Sequence, residues 1–174
     1  MKIRRSMDVA LVAIVVCTWV ATSAFAGQRP QASSDQAFVK KAAVGGLAEV
    51  QLGKLAVEHA ASPDVKQFGQ RMVDDHDQAN RELMAVVEPK GIAVPTALDR
   101  QHRQAADRLA KLHGPAFDRA YIQEMVKDHE ADVRLFRTEA QQGTDPELKR
   151  WAANTLPTLE EHLTMARNLA TPRR

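Results

Sequence analysis

Two abrupt helix starts, far apart in the sequence, most constrain how this chain can fold. Ser62-Pro63-Asp64 and Thr144-Asp145-Pro146-Glu147 each combine a capping residue, a proline and an acidic residue, as the first turn of a helix does. A long run of apolar residues at helical spacing precedes and follows each of these starts. Because almost no loop is left at either break, each pair of helices is expected to form an antiparallel hairpin.

The apolar spacing predicts five helices, and no segment shows the alternating pattern of a β-strand. Between the hairpins lies a segment with prolines, a glycine and one shorter charged helix. Two tight hairpins joined by one long connection follow the path of a ferritin-like four-helix bundle, whereas an up-down-up-down bundle needs three short connections. The sequence therefore predicts an all-α, ferritin-like four-helix bundle. The expected helices cover about 35–61, 63–88, 97–113, 115–142 and 146–170.

The N-terminus has the pattern of an export signal. Lys2, Arg4 and Arg5 precede an apolar run, and Ala24-Phe25-Ala26 fits the small-residue pattern of a cleavage site. The apolar run, from Val9 to Val20, is short for a membrane span, so cleavage is favoured over a retained anchor. We expect a periplasmic or cell-envelope protein cleaved near Ala26. Its predicted parts are a signal peptide (1–26), a flexible arm (27–34) and one bundle domain (35–170).

Charge and cysteine content narrow the expected partners. The full chain has a formal net charge of +2, and removal of the predicted signal, with three basic residues and one acidic residue, leaves it neutral. Without a basic stripe, nucleic acid is not expected as a partner. Cys17 is the only cysteine and follows Val16, which is too large for a usual lipoprotein processing site. Neither a lipid anchor nor a disulfide is therefore expected, and a protein partner or a homo-oligomer stays open.

A near-repeat places histidines on two of the long helices. Met72-Val73-Asp74-Asp75-His76 and Met125-Val126-Lys127-Asp128-His129 both put Met and His four residues apart, on one helix face. In a tight hairpin, residues equally far from the turn lie at the same height, so Glu49 is level with His76. The same counting brings His162 within about one turn of the second repeat. We therefore predict one metal site at mid-bundle formed by Glu49, His76, His129 and His162, with Asp75 and Asp128 in support.

Imidazole and carboxylate ligands suit iron, manganese, zinc or copper, and thioethers beside the histidines would favour copper. Core packing explains Met72 and Met125 equally well. A metal-free alternative is a hydrogen-bonded polar layer that sets helix register in a non-catalytic envelope or stress-associated protein that binds a partner. The sequence contains no phosphate-binding loop, cysteine nucleophile or serine-hydrolase motif, so we assign no catalytic residue and favour a binding protein over an enzyme.

A glycine pair and an aspartate near a helix start also suggest specific contacts. Gly45-Gly46 lies one turn before Glu49, and this pair is expected to admit a close helix approach or a small ligand. Asp118 lies near the start of its helix, where a negative charge interacts favourably with the helix dipole.

Motifs from all four long helices together resemble a known family. They are Phe38, Ala42, Gly45-Gly46 and Ala48-Glu49-Val50, then Met72-Val73 and Asp75-His76, then Phe117-Asp118, Tyr121 and His129, and last Leu156-Pro157, Leu159 and His162. In this order they are similar to bacterial exported proteins grouped as a domain of unknown function with a predicted ferritin-like fold, over about 35–170. The resemblance implies an envelope location and the same four candidate positions, and it implies little about activity.

The chain departs from the di-iron ferritins in the residues that precede its histidines. Those proteins carry Glu-x-x-His on two helices. Here the residues three positions before the three histidines are Val73, Val126 and Leu159. A site for one metal ion is therefore favoured over a carboxylate-bridged pair of irons.

Overall fold

The computed structural model describes residues 29–171, with side chains from Ser34 onward. The regular secondary structure of these residues is helical throughout, which confirms the prediction of an all-α fold. The helices are α1 (Arg29–His59), α2 (Pro63–Val87), α3 (Arg100–Leu109), α4 (Gly114–Gln142) and α5 (Pro146–Ala170), with a short 3₁₀ turn at Glu88–Lys90.

The two long hairpins pack side by side along the ferritin-like path. α1 pairs with α2 and α4 with α5, and the contacts of α1 with α4 and of α2 with α5 close the bundle. At one end, the Asp118 carboxylate on α4 accepts hydrogen bonds from the backbone N–H groups of Ala61 and Ser62. At the other end, Asp35 on α1 accepts bonds from the N–H and hydroxyl of Thr144. The connection between α2 and α4 therefore runs back along the whole bundle, as this fold requires.

A polar layer separates two apolar clusters inside the bundle. Phe38, Phe136 and Trp151 belong to one cluster, and Phe68 and Tyr121 belong to the other. Burial of these apolar side chains supplies most of the driving force for folding. Along each long helix, one buried polar residue lies between the clusters. These residues are Glu49, His76, His129 and His162.

The helix bounds differ from the expectation in two places. α1 begins at Arg29, so residues 29–34 of the predicted flexible arm are helical. Pro30 is compatible with this start, because the first turn of a helix has unpaired N–H groups in any case. The crossover helix is shorter than the predicted 97–113: the Asp99 side chain caps its start at Arg100 by accepting the N–H of His102, and the helix ends at Leu109.

Several sequence predictions lie outside the described residues. They are the signal peptide over 1–26 and residues 27–28 of the predicted arm. Within residues 29–171, no helix combines the length and apolar character needed to cross a membrane.

The backbones of α1 and α2 come into close contact at Gly53 and Gly69, and not at the expected Gly45-Gly46. A methyl group added at Gly53 would lie 2.6 Å from the carbonyl oxygen of Gly69. At Gly46 the neighbour is the side chain of Asn80, and at Gly45 it is the side chain of Asp132, so neither contact joins two backbones. The sequence pattern missed the Gly53–Gly69 approach because these glycines lie on different helices.

Candidate metal site

Three buried imidazoles from three helices meet in the polar layer. His76 comes from α2, His129 from α4 and His162 from α5, and their ring centroids lie 5.3–5.7 Å apart. One ring nitrogen from each residue lies within 4.8 Å of the other two. Nε2 of His129 and Nδ1 of His162 lie 3.3 Å apart. The structure therefore brings together the three histidines that the sequence singled out.

Hydrogen bonds on the outer side of two rings fix which nitrogens face inward. Nδ1 of His129 donates to the carbonyl oxygen of Met125 at 3.0 Å, and Nε2 of His162 donates to Oδ2 of Asp75 at 2.8 Å. Because a carbonyl and a carboxylate only accept, these two ring nitrogens carry the hydrogens. In neutral rings, Nε2 of His129 and Nδ1 of His162 therefore hold lone pairs that face each other.

Burial keeps these imidazoles neutral. It lowers the pKa of His129 to about 3, with a further contribution from the charge of His162. Burial also lowers the pKa of His76 well below its ordinary value, and the other two histidines add to this effect. The pKa of His162 is lowered by burial too, although Asp75 opposes the shift. At neutral pH no proton is therefore available to bridge the two facing lone pairs.

The separation of these nitrogens matches that of two ligands on one metal ion. Nitrogens about 2.0–2.1 Å from an ion, at tetrahedral to trigonal angles, lie roughly 3.3–3.6 Å apart. His76 contributes a third nitrogen, because its Nε2 is buried and has no hydrogen-bond partner among the described residues. The three nitrogens lie within 4.8 Å of one another, and closing the set around the 3.3 Å pair by a small rotation of the His76 side chain would let three neutral imidazoles hold one transition-metal ion.

Glu49 lies beside this cluster and not within it. Its Oε1 is 3.6 Å from Nδ1 of His129, a distance too long for a hydrogen bond, and Nδ1 is the ring nitrogen that points away from His162. The Glu49 carboxyl is buried, and its Oε2 has no hydrogen-bond partner among the described residues. Burial raises its pKa well above the ordinary value, and the charge of Asp132 adds to that shift. Glu49 lies in the predicted layer along the bundle axis. The histidine nitrogens, however, converge on the other side of the His129 ring.

The two predicted supporting carboxylates have different environments. Asp75 contacts the cluster directly through His162, as described above. Asp128 lies next to a groove formed with His102 and Asp132, on the side of α4 that faces α1 and α3. Neighbouring residues on a helix point about 100° apart, so Asp128 does not share the direction of His129.

A contact that the sequence analysis missed holds Asp75 in place. Arg71 donates from Nε to Oδ2 of Asp75 at 3.1 Å, and from Nη1 and Nη2 to the Glu161 carboxylate at 2.9 and 2.8 Å. Nη1 also lies 3.2 Å from the sulfur of Met165. The spacing of Arg71 and Asp75 could have revealed this pair from the sequence, whereas the bond to α5 depends on helix packing.

Met72 and Met125 pack within the apolar cluster that also contains Phe68 and Tyr121. Both methionines are fully buried, which agrees with core packing. The Tyr121 hydroxyl in this cluster has no hydrogen-bond partner among the described residues. Its pKa is raised well above the ordinary value by burial and, to a smaller extent, by Glu49.

A protein-family model matches residues 20–169, which is most of the chain. Its description is "Domain of unknown function (DUF4142)". The chain belongs to the DUF4142 family. This membership agrees with the resemblance found in the sequence motifs. The comparison with curated proteins finds no match for this DUF4142 chain.

Solved structures with the same fold include proteins captured with metals. CopM in its Cu(I)-bound form aligns with a TM-score of 0.64 and 16% identity, covering 77% of this chain and 93% of CopM. The Ag-bound form gives a TM-score of 0.63 and 18% identity, with the same coverage. A DUF305 protein from Streptomyces coelicolor gives 0.66 and 14%, covering 78% of the DUF4142 chain and 91% of that protein. At these identities the likeness shows a shared fold.

Proposed function

We propose that this protein binds one transition-metal ion through Nε2 of His76, Nε2 of His129 and Nδ1 of His162. The observation that carries the proposal is the 3.3 Å separation of two facing ring nitrogens, which the outer hydrogen bonds of both rings leave without hydrogens. Two neutral lone pairs repel at this distance, and a cation between them converts the repulsion into two bonds. Met125 and Asp75 hold the rings in the orientation that a metal requires.

A metal-free polar layer explains these contacts less well. A layer that only sets helix register is expected to pair its buried polar atoms, because an unpaired buried group costs about 1–3 kcal/mol. Here Nε2 of His76 and Oε2 of Glu49, both in the layer, are buried without a hydrogen-bond partner among the described residues. These unpaired atoms favour a ligand in the layer.

The ligand set favours copper or silver as the first ions to test. Imidazole nitrogens suit copper, and a buried site built from neutral ligands favours an ion of low charge because desolvation is less costly. CopM, which has the same fold, has been determined with Cu(I), Cu(II) and Ag bound. Together with the export pattern at the N-terminus, this supports a metal-binding protein that works outside the cytoplasm.

Metal titration of the chain without residues 1–26 tests this proposal. Metal-free protein is titrated separately with Cu(I), Ag(I), Cu(II) and Zn(II), and the bound metal is counted by elemental analysis after gel filtration. We expect one ion per chain for at least copper or silver. Binding of none of these ions above trace amounts would contradict the proposal.

A pair of matched variants identifies the ligands. In His76→Leu, a ligand nitrogen is lost without breaking any hydrogen bond at Nε2, so the fold should persist. His113→Leu makes the same change at an exposed histidine outside the cluster. We expect His76→Leu to lower metal affinity at least ten-fold and His113→Leu to leave it unchanged. Equal affinities in two folded variants would exclude His76 as a ligand.

A further inference from the structure

A narrow pocket between the helices leads to one side of the histidine cluster. His76 and His162 line it, whereas His129 does not. Its walls also include Ala79 and Thr158, whose small side chains leave room for a small ligand, whereas the Asn80 side chain fills the space beside Gly46. The pocket therefore reaches the histidine cluster at His76 and His162.

The proposed site leaves one coordination position of the ion open and supplies no negatively charged ligand. Three protein nitrogens fill three positions of a four-coordinate ion and leave the fourth to an external ligand. The imidazoles add no negative charge, and the one carboxylate on the pocket wall, that of Asp75, is already paired with Arg71, so the charge of the ion favours a small anion as that ligand. The Glu49 carboxyl lies on the far side of His129, where it does not fill this position.

Thr158 supplies a hydrogen-bonding group on the pocket wall. It lies one turn before His162 on α5, and its hydroxyl makes no hydrogen bond within residues 34–171. Other threonines on these helices behave differently, since the hydroxyls of Thr138, Thr155 and Thr164 each donate to the carbonyl oxygen four residues earlier. The Thr158 hydroxyl is therefore available to donate to a ligand in the pocket.

We infer that the metal bound by the three histidines keeps one exchangeable coordination position in this pocket, occupied by a small anion of one to three heavy atoms. The Thr158 hydroxyl donates a hydrogen bond to that anion. This inference rests on the proposed metal site. It deepens the proposal by assigning an open site that exchanges small ligands, in contrast to a closed structural site.

Azide binding to the Cu(II)-loaded protein tests the inference. Copper content is measured first for every sample, and azide is then added while the charge-transfer absorption and the electron paramagnetic resonance spectrum are recorded. We expect one azide per copper in the wild-type protein. Thr158→Val keeps the shape of the side chain and removes the hydroxyl, so azide affinity should fall about five-fold while copper content stays the same.

Two leucine variants test whether azide reaches the metal through this pocket. Ala79→Leu fills the pocket, whereas Ala85→Leu makes the same change at an exposed position on the same helix. We expect Ala79→Leu to weaken azide binding at least ten-fold and Ala85→Leu to retain it. Thr158→Val keeps the inference testable if Ala79→Leu does not fold.

The outcomes separate the two proposals. If none of the four tested ions binds, the proposed function and this inference both fail, whereas binding of another ion without Cu(II) overturns the inference alone. Copper binding with no spectral response to azide overturns the inference alone and leaves the metal site in place. An unchanged azide affinity in copper-loaded Thr158→Val, or in folded Ala79→Leu, likewise overturns it.

Discussion

Asp75 on α2 accepts a hydrogen bond from Nε2 of His162 on α5 at 2.8 Å, and this contact decides which nitrogen of the ring faces the cluster. Arg71 holds the same carboxylate oxygen at 3.1 Å and also binds Glu161 on α5. The imidazole orientation is thus fixed by a carboxylate that is itself fixed by a guanidinium group. Such partners of a metal ligand keep its lone pair aimed at the ion.

Asp75→Ala should lower metal affinity by about 10- to 100-fold, because the His162 ring loses the acceptor that selects its tautomer. Asp75→Asn should give a smaller loss, since the amide oxygen still accepts a hydrogen bond. Competition with a chelator of known affinity measures both effects. Asp74→Ala, at the exposed neighbouring position, is the control and should bind as tightly as the wild-type protein. Equal affinity of Asp75→Ala and Asp74→Ala would show that this hydrogen bond does not orient a ligand.

The metal-free protein should lose stability as the pH falls below the ordinary pKa of histidine. An unfolded histidine binds a proton below about 6.5, whereas His129 in the folded protein has a pKa of about 3. Between these values the unfolded state holds more protons, so acidification favours unfolding by about 1.4 kcal/mol per pH unit for this group. Urea unfolding at several pH values should show a shallower pH dependence in His129→Leu than in the wild-type protein.

Val133→Ala provides the control for that experiment. This buried residue lies one turn from His129 and has no ionisable group, so its replacement should lower stability and keep the wild-type pH dependence. The same pH dependence in His129→Leu and Val133→Ala would contradict a depressed pKa at His129.

The sequence predicted the helices, their path and the three histidines, because hairpin counting depends only on the turn positions and the rise per residue. The same counting put Glu49 at the right height, but it carried no information on which side of the His129 ring the carboxyl would lie. Asp118 shows a similar limit. Its position predicted an interaction with its own helix dipole, whereas its carboxylate caps the α1–α2 turn across the bundle. Contacts between hairpins depend on rotation and packing, which a single sequence does not encode in its periodicity.

Glu139→Gln should stabilise the protein more at pH 8 than at pH 5. Burial, with smaller contributions from Asp35 and Asp145, raises the pKa of Glu139 to about 7. The unfolded state releases this proton near 4.5, so the folded state loses stability as the pH rises from 4.5 through 7. Glutamine does not titrate and avoids this loss, which amounts to at most about 3 kcal/mol at pH 8. Thermal unfolding of both proteins at the two pH values measures the difference, and an identical effect at both would contradict the prediction.

Alanine substitutions at two glycines of α1 should change stability in opposite directions. At Gly53 the added methyl group would lie 2.6 Å from the Gly69 carbonyl oxygen, so the two helix backbones must separate. We expect Gly53→Ala to cost about 1–3 kcal/mol, despite the better helix propensity of alanine. At Gly45 the nearest atom is Oδ1 of the Asp132 side chain at 3.7 Å, an ordinary contact. Gly45→Ala should therefore gain roughly 0.5–1 kcal/mol from helix propensity alone. Urea unfolding compares the two variants, and a gain of stability in both would show that the helices do not approach at Gly53 as closely as the structure has them.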